Sequence, residues 1–158
     1  MLTTYPLIGL LKAMLLTGLL AGCLDGAAAL LLFVARGAKQ PLLLFRYIAS
    51  AVFGNKAFTG GGKMIALGIL FHLLIAITFV VFYFLLFPHI KWLGLYPFAG
   101  GTLYGLLIWL MMNRVVVPLS HAEPRPFSWT MALINMVILI LAIGVPAAYL
   151  SRLFFTRS

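Results

Sequence analysis

Residues 15–35 read LLTGLLAGCLDGAAALLLFVA, an apolar run with one carboxylate, Asp25, near its middle. A run of about 20 apolar residues is long enough to cross a hydrocarbon core of about 30 Å as a helix. A charge at the centre of such a helix costs about 2.5–3.5 kcal/mol on insertion scales, and it usually faces a bundle interior, a partner or a pathway. The run therefore predicts a membrane span, and Asp25 is its first candidate functional residue.

The composition of the whole chain is typical of a membrane protein. Of its 158 residues, 65% are hydrophobic and 8% are charged, whereas soluble domains have about 25% charged residues. The net charge of +9 does not indicate nucleic-acid binding, because the Lys and Arg residues cluster at the ends of apolar runs. That pattern favours membrane orientation and contact with anionic lipid headgroups. Cys23 is the only cysteine, so no intramolecular disulfide can form.

Four apolar runs predict an all-α integral membrane four-helix bundle, with residues 1–158 forming a single transmembrane domain. The predicted spans cover about residues 13–35, 64–87, 98–117 and 129–153. Each has about 20 residues or more, which is the length that a helix needs to cross the bilayer. The uninterrupted runs exclude the alternating pattern of a transmembrane β-barrel. Pro146 lies inside the fourth run and predicts a kink there, because it removes a helical hydrogen bond.

The segment at residues 41–54, between the first two spans, reads PLLLFRYIASAVFG and is too short to cross the membrane. On a helix, Arg46 and Ser50 fall one turn apart, opposite a wide apolar face. This pattern favours an amphipathic interfacial helix. A re-entrant helix and an extended loop are the two alternatives.

The distribution of cations favours an orientation with the first and third loops in the cytoplasm. With four spans these loops share a side, which holds Arg36, Lys39, Arg46, Lys56, Lys63, Arg114 and Arg125. The opposite side holds fewer cations, namely Lys12, Lys91, Arg152 and Arg157. An excess of Lys and Arg marks the cytoplasmic side. Lys12, beside the first span, argues for the reverse orientation.

Small residues predict two close helix contacts. Gly18, Gly22 and Gly26 recur at four-residue spacing in the first span, and Gly101 and Gly105 repeat the spacing in the third. Small residues at this spacing let helix backbones approach each other in a membrane. Asp25 falls on nearly the same face as the first set, which predicts a carboxylate buried in a helix contact or a carboxylate that handles a proton or cation.

A polar cluster is predicted in the half of the bundle nearest the first and third loops. His72 in the second span has small neighbours one turn away on either side, so it can meet another helix and pair with Asp25. Such a pair is neutral overall when both members are charged, which is how membranes tolerate ionisable groups. A helix rises about 1.5 Å per residue, and this rise places the other polar side chains at depths within the same half of the bundle. The predicted binding residues are Asp25, Arg46, Ser50, His72, Asn113, Arg114 and Asn135. The alternative is that these residues bond locally and enclose no space.

Catalytic and metal-binding patterns do not occur in the sequence. No serine, cysteine or histidine set has the spacing of a nucleophile and its base, and no metal-binding motif appears. The glycine run at residues 60–63 lacks the first glycine and the Ser or Thr of a phosphate-binding loop. The sequence therefore predicts a non-enzymatic protein without a cofactor or metal.

Short motifs spread over most of the chain are similar to those of one protein group. They are AGCLD at residues 21–25, YIASAVFG at 47–54, His72, GTLYG at 101–105, Met112–Asn113 and VPLS at 117–120. Together they resemble a group of small, uncharacterised bacterial inner-membrane proteins, loosely similar to the YagU-like proteins. The resemblance implies a localisation and no mechanism. Its motif residues include Asp25, Ser50, His72 and Asn113.

Three functions are consistent with these patterns. The leading interpretation is a non-enzymatic membrane protein whose polar cluster binds a small solute, a proton or a lipid headgroup. The second is a transporter or channel subunit that acts as a homo-oligomer, because four short helices enclose little volume. The third is a structural or accessory subunit of a membrane complex. In each case the predicted partners are membrane lipids, with no nucleic acid.

Overall fold

Four long apolar helices form the protein, as the sequence predicts. The computed structural model describes residues 7–123 and 126–157, so Arg125 of the orientation argument lies outside the described residues, as does the side chain of Arg157. Helices long and apolar enough to cross a membrane cover Leu7–Ala35, Gly61–His89, Pro97–Leu119 and Trp129–Thr156. We call them spans 1 to 4. The chain is an all-α membrane helical bundle.

The helices between and within the spans complete the fold. Helix α1 (Leu7–Ala35) is span 1, and the short helices α2 (Leu43–Phe53) and α3 (Lys56–Thr59) lead to α4 (Gly61–Leu86). After a 3₁₀ turn (Phe87–His89) come α5 (Lys91–Leu95), α6 (Pro97–Met111) and α7 (Val117–Leu119). Span 4 begins with α8 (Trp129–Leu139) and, after a π-helical turn (Ile140–Gly144), continues into α9 (Val145–Arg157). The extended-loop alternative for residues 41–54 is wrong, because Leu43–Phe53 is helical.

Span 4 lies against each of the other three spans. Its α9 supplies the fully buried Ala147 and Ala148, which belong to one hydrophobic cluster with large side chains of spans 2 and 3. Tyr83 and Tyr104 meet edge to face with ring centroids 4.8 Å apart, and the Tyr104 hydroxyl donates to the Phe79 carbonyl at 2.6 Å. Leu10, Met14 and Ala21 of span 1 belong to the same cluster, so the core lies where all four spans converge.

Spans 3 and 4 each contain a π-helical turn two residues before a proline. Met112–Val116 precedes Pro118, and Ile140–Gly144 precedes Pro146. Val117 donates its N–H to the Met112 carbonyl and Val145 to the Ile140 carbonyl, five residues back in each case. A proline ring clashes with the carbonyl four residues earlier, and the wider turn relieves that clash.

The π turns explain why the helices continue past their prolines. The sequence ends the third span at residue 117, before Pro118, whereas the helix continues through this proline to Leu119. The extra residue in the π turn lets the helix accommodate the proline and remain helical beyond it. The disturbance predicted at Pro146 takes the same form.

The first and third loops lie on the same side of the bundle and are bonded to each other. The His121 N–H donates to the Ala51 carbonyl at 3.0 Å, and the Tyr47 hydroxyl donates to the Glu123 carbonyl at 3.0 Å. The two first-loop groups, the Ala51 carbonyl and the Tyr47 hydroxyl, both belong to α2. The third loop therefore rests on this short helix.

We expect Tyr47→Phe to loosen the third loop without unfolding the bundle. The substitution removes the bond to Glu123 but keeps the ring, and a single hydrogen bond of this kind contributes about 0.5–1.5 kcal/mol. Amide hydrogen exchange should become faster at residues 120–123 and stay unchanged in span 4. Unchanged exchange at His121 would show that the loop does not depend on this bond.

Candidate functional site

Asp25 lies at the edge of the buried face of α1. The glycines of this helix are buried, and their positions meet span 2 in order: Gly18 faces Ile77, Gly22 faces Leu73 and Ala76, and Gly26 faces His72. A Cβ atom at Gly18 would lie 2.8 Å from the Ile77 Cα atom. The three glycines therefore lie in one close contact between spans 1 and 2, and this contact brings Asp25 to span 2.

His72 is the residue that Asp25 meets there. The His72 Nε2 atom lies 2.9 Å from the Gly22 carbonyl oxygen and 3.8 Å from Asp25 Oδ2. Because a carbonyl can only accept, the hydrogen bond to Gly22 places a proton on Nε2. The Asp25 and His72 side chains are 14% and 15% exposed, respectively. The pair that the sequence suggests is therefore present, largely shielded but not sealed.

Helix α2 covers one side of His72. The Phe45 ring meets the imidazole edge to face, with centroids 6.3 Å apart. The Phe45 backbone lies directly on Gly68, one turn before His72, where any Cβ atom would collide with the Phe45 carbonyl. Phe53 stacks on Phe71 at a centroid distance of 6.1 Å. The Asp25–His72 pair is thus bounded by α1, α4 and α2.

We expect Gly26→Ala to displace the imidazole from its acceptor. The new Cβ atom would lie 3.1 Å from His72 Nε2 and 3.4 Å from Cδ2, so the ring must shift by a few tenths of an ångström. Overpacking of this type costs about 1 kcal/mol or more. The thermal midpoint should fall and the ¹⁵N resonance of His72 should move. An unmoved His72 resonance would contradict the close contact.

Arg46 and Ser50 stabilise the first loop and have no bond to the Asp25–His72 pair among the described contacts. Arg46 Nη1 donates to the Phe58 carbonyl at 3.0 Å, which ties α2 to α3. The Ser50 hydroxyl donates to the Tyr47 carbonyl at 2.6 Å within α2 and is buried. The polar side of α2 therefore points partly into the protein, and Arg46 Nε is buried without a hydrogen-bond partner.

Asn113, Arg114 and Asn135 do not join the pair. All three are exposed on the surface of spans 3 and 4, and the Asn113 amide donates to the Trp109 carbonyl of its own helix at 2.8 Å. The predicted pocket lined by these residues together with Asp25 and His72 is therefore not formed. The rise per residue along a helix predicts how deep each side chain lies in the bundle. It does not predict which way the side chain faces, because that depends on how the helix is rotated about its axis.

Gly101 and Gly105 lie in a second close contact, between spans 3 and 4. A Cβ atom at Gly101 would lie 2.7 Å from the Gly144 carbonyl oxygen, and one at Gly105 would lie 2.6 Å from the Ile140 Cα atom. Gly144, in the π turn, faces Gly101 in return. In the sequence Gly144 is an isolated glycine without a repeat. Its contact with Gly101 and Gly105 is therefore established only by the structure.

An apolar cleft lies away from the Asp25–His72 pair. It is an open groove of about 410 Å³ between α1 and α9, lined by Ala13, Leu16, Thr17, Leu20, Leu150, Leu153 and Phe154. Thr17 is its only polar lining residue. Within residues 7–123 and 126–157, no group of three or more His, Cys, Asp or Glu residues is placed to hold a metal ion.

Comparisons with known proteins do not identify the chain. No family model matches it, and no curated protein or solved structure matches it significantly. The assignment of a function therefore rests on the residues and their geometry.

Proposed function

We propose that this protein is a non-enzymatic, multi-pass protein of the bacterial inner membrane that binds and releases a proton at the Asp25–His72 pair. The observation that supports the proposal is the carboxylate–imidazole pair itself, with Nε2 and Oδ2 3.8 Å apart inside two apolar spans. Carboxylate and histidine side chains within membrane spans mark proton relays and ion pathways.

The geometry favours a proton over a larger ligand. The separation of 3.8 Å exceeds a hydrogen bond, so the Nε2 proton is donated to Gly22 while the carboxylate lies within reach of the same nitrogen. A small rotation of the imidazole exchanges one acceptor for the other. Both side chains are largely buried, which favours a ligand as small as a proton over a bulky solute.

A packing role alone would need neither ionisable group. Three glycines already join spans 1 and 2, and apolar residues of similar volume are often as stable as a buried ion pair or more so. The pair costs free energy to insert, which a purely structural contact does not require. This comparison favours a site over a structural contact.

Reaction with dicyclohexylcarbodiimide tests the proposal, because this reagent modifies protonated carboxyl groups in apolar surroundings. We expect Asp25 to be labelled increasingly as pH falls from 9 to 5, and His72→Gln to change that pH profile. Glu123 in the exposed third loop is the internal control. Labelling that is constant across this range, or absent throughout it, would show a carboxyl group that does not exchange its proton.

A transporter or channel subunit acting as a homo-oligomer is the second candidate. The observation that favours it is again the Asp25–His72 pair, since ionisable groups within membrane spans mark ion pathways. Proton or ion flux into liposomes containing the protein, lost in Asp25→Asn, would support this function. Flux equal in the two proteins would leave Asp25 outside the pathway.

A further inference from the structure

We propose that the first loop forms a binding surface for the phosphate headgroups of anionic phospholipids. The surface, which we call the first-loop surface, combines exposed cations with exposed apolar side chains. The cations are Arg36, Lys39, Lys56 and Lys63. The apolar side chains are Leu42, Val52, Phe53 and Phe58. The proposal is independent of the Asp25–His72 pair.

Few acidic side chains offset the charge of this surface. The sequence contains two acidic residues, Asp25 and Glu123, and none between them. Asp25 lies within span 1 beside His72, and Glu123 lies in the third loop, where its backbone carbonyl accepts a hydrogen bond from Tyr47 of α2. The four exposed cations outnumber the one carboxylate near them, so the surface keeps a net positive charge that favours an anionic partner. Clusters of Lys and Arg beside membrane helices attract anionic lipids in this way.

The apolar side chains identify that partner as a lipid. Val52 is 56% exposed and Leu42 is 48% exposed, and both lie between cations in sequence. An amphipathic helix with apolar and basic side chains lies at the membrane interface with its apolar side inserted among the lipids. A free phosphate or a nucleic acid would contact the lysines but would leave the exposed leucine, valine and phenylalanine side chains in water.

The surface is held rigidly enough to bind a headgroup at a defined place. Helix α2 is fixed to span 2 by the Phe45 backbone on Gly68, and Arg46 ties α2 to α3 through Phe58. Lys56 begins α3, and Lys63 lies in the first turn of α4. These two lysines flank the glycine turn between the helices. They are therefore the best positions at which to remove charge without disturbing the fold.

The test is a lipid titration of the delipidated full-length protein, followed by native mass spectrometry. The probes are phosphatidylglycerol and phosphatidylcholine. We expect the wild type to bind phosphatidylglycerol more tightly than phosphatidylcholine, and Lys56→Gln/Lys63→Gln to weaken phosphatidylglycerol binding by about fivefold for each lysine removed. The matched control is Lys12→Gln/Lys91→Gln, which removes two cations from the opposite side and should leave this binding unchanged.

Three results would overturn the proposal. The first is equal binding of the two lipids by the wild type. The second is an equal loss of phosphatidylglycerol binding in the control pair, which would show an effect of net charge alone. The third is displacement of phosphatidylglycerol by millimolar inorganic phosphate, which would identify a phosphate site without a lipid requirement.

Discussion

Gly144→Val is expected to lower the free energy of unfolding by about 3 kcal/mol, at the upper end of the usual cost of overpacking. A Cβ atom at this position would collide with the Gly101 carbonyl and lie 3.1 Å from the Gly105 nitrogen. Both neighbours are backbone atoms of span 3, so no flexible side chain can move aside. Spans 3 and 4 must separate, or the π turn must change its shape.

Denaturant-induced unfolding in lipid–detergent micelles measures this effect. Gly62→Ala is the matched control, because no heavy atom lies within 4 Å of a Cβ atom built there. It should change stability by a few tenths of a kcal/mol, as an open surface position does. Equal stabilities of Gly144→Val and Gly62→Ala would mean that spans 3 and 4 do not meet at these glycines.

His72→Leu is expected to cost far more stability than Asp25→Asn at neutral pH. Removing the histidine leaves the Asp25 carboxylate buried without its partner, and breaking a buried pair in this way costs about 3–5 kcal/mol. Asp25→Asn leaves a neutral amide beside a histidine that still donates to Gly22, so its cost should stay near 1 kcal/mol. The asymmetry arises because only one of the two changes strands a charge.

The double variant and the pH dependence sharpen this prediction. Asp25→Asn/His72→Leu should be more stable than His72→Leu alone, giving a coupling free energy that a double-mutant cycle measures. The cost of His72→Leu should also shrink on acidification, because a protonated Asp25 carries no stranded charge. Additive effects that do not vary with pH would show that the two side chains titrate and pack independently.

The spans were predictable because long apolar runs determine them directly. The ends of the spans were less predictable. Helix α1 begins at Leu7 rather than near Ala13, because a single lysine, Lys12, does not end a helix. The glycines of span 1 predicted a contact, but not its partner. That partner depends on how the bundle assembles, and the fold identifies it as the segment from His72 to Ile77.

The candidate site was only half predictable. Asp25 and His72 could be paired because both are ionisable groups at similar depth on faces lined by small residues. Asn113, Arg114 and Asn135 satisfied the depth criterion but lie on exposed faces, since helix rotation follows from packing that a single sequence does not display. The contact of the Phe45 backbone with Gly68 was not predicted either. It joins α2 to α4 through backbone atoms, which are the same for every residue type and so leave no pattern in the sequence.

The protonation of Asp25 is the most direct test of the proposed function, and infrared difference spectroscopy of the protein in bilayers measures it. The protonated carboxyl group has its own carbonyl stretching band, and Asp25→Asn identifies the contribution of this residue. We predict a band that is absent in the variant and that appears and disappears reversibly as the pH is cycled between 5 and 9. An Asp25 band that stays constant over this cycle would contradict the account and leave the pair as a structural contact.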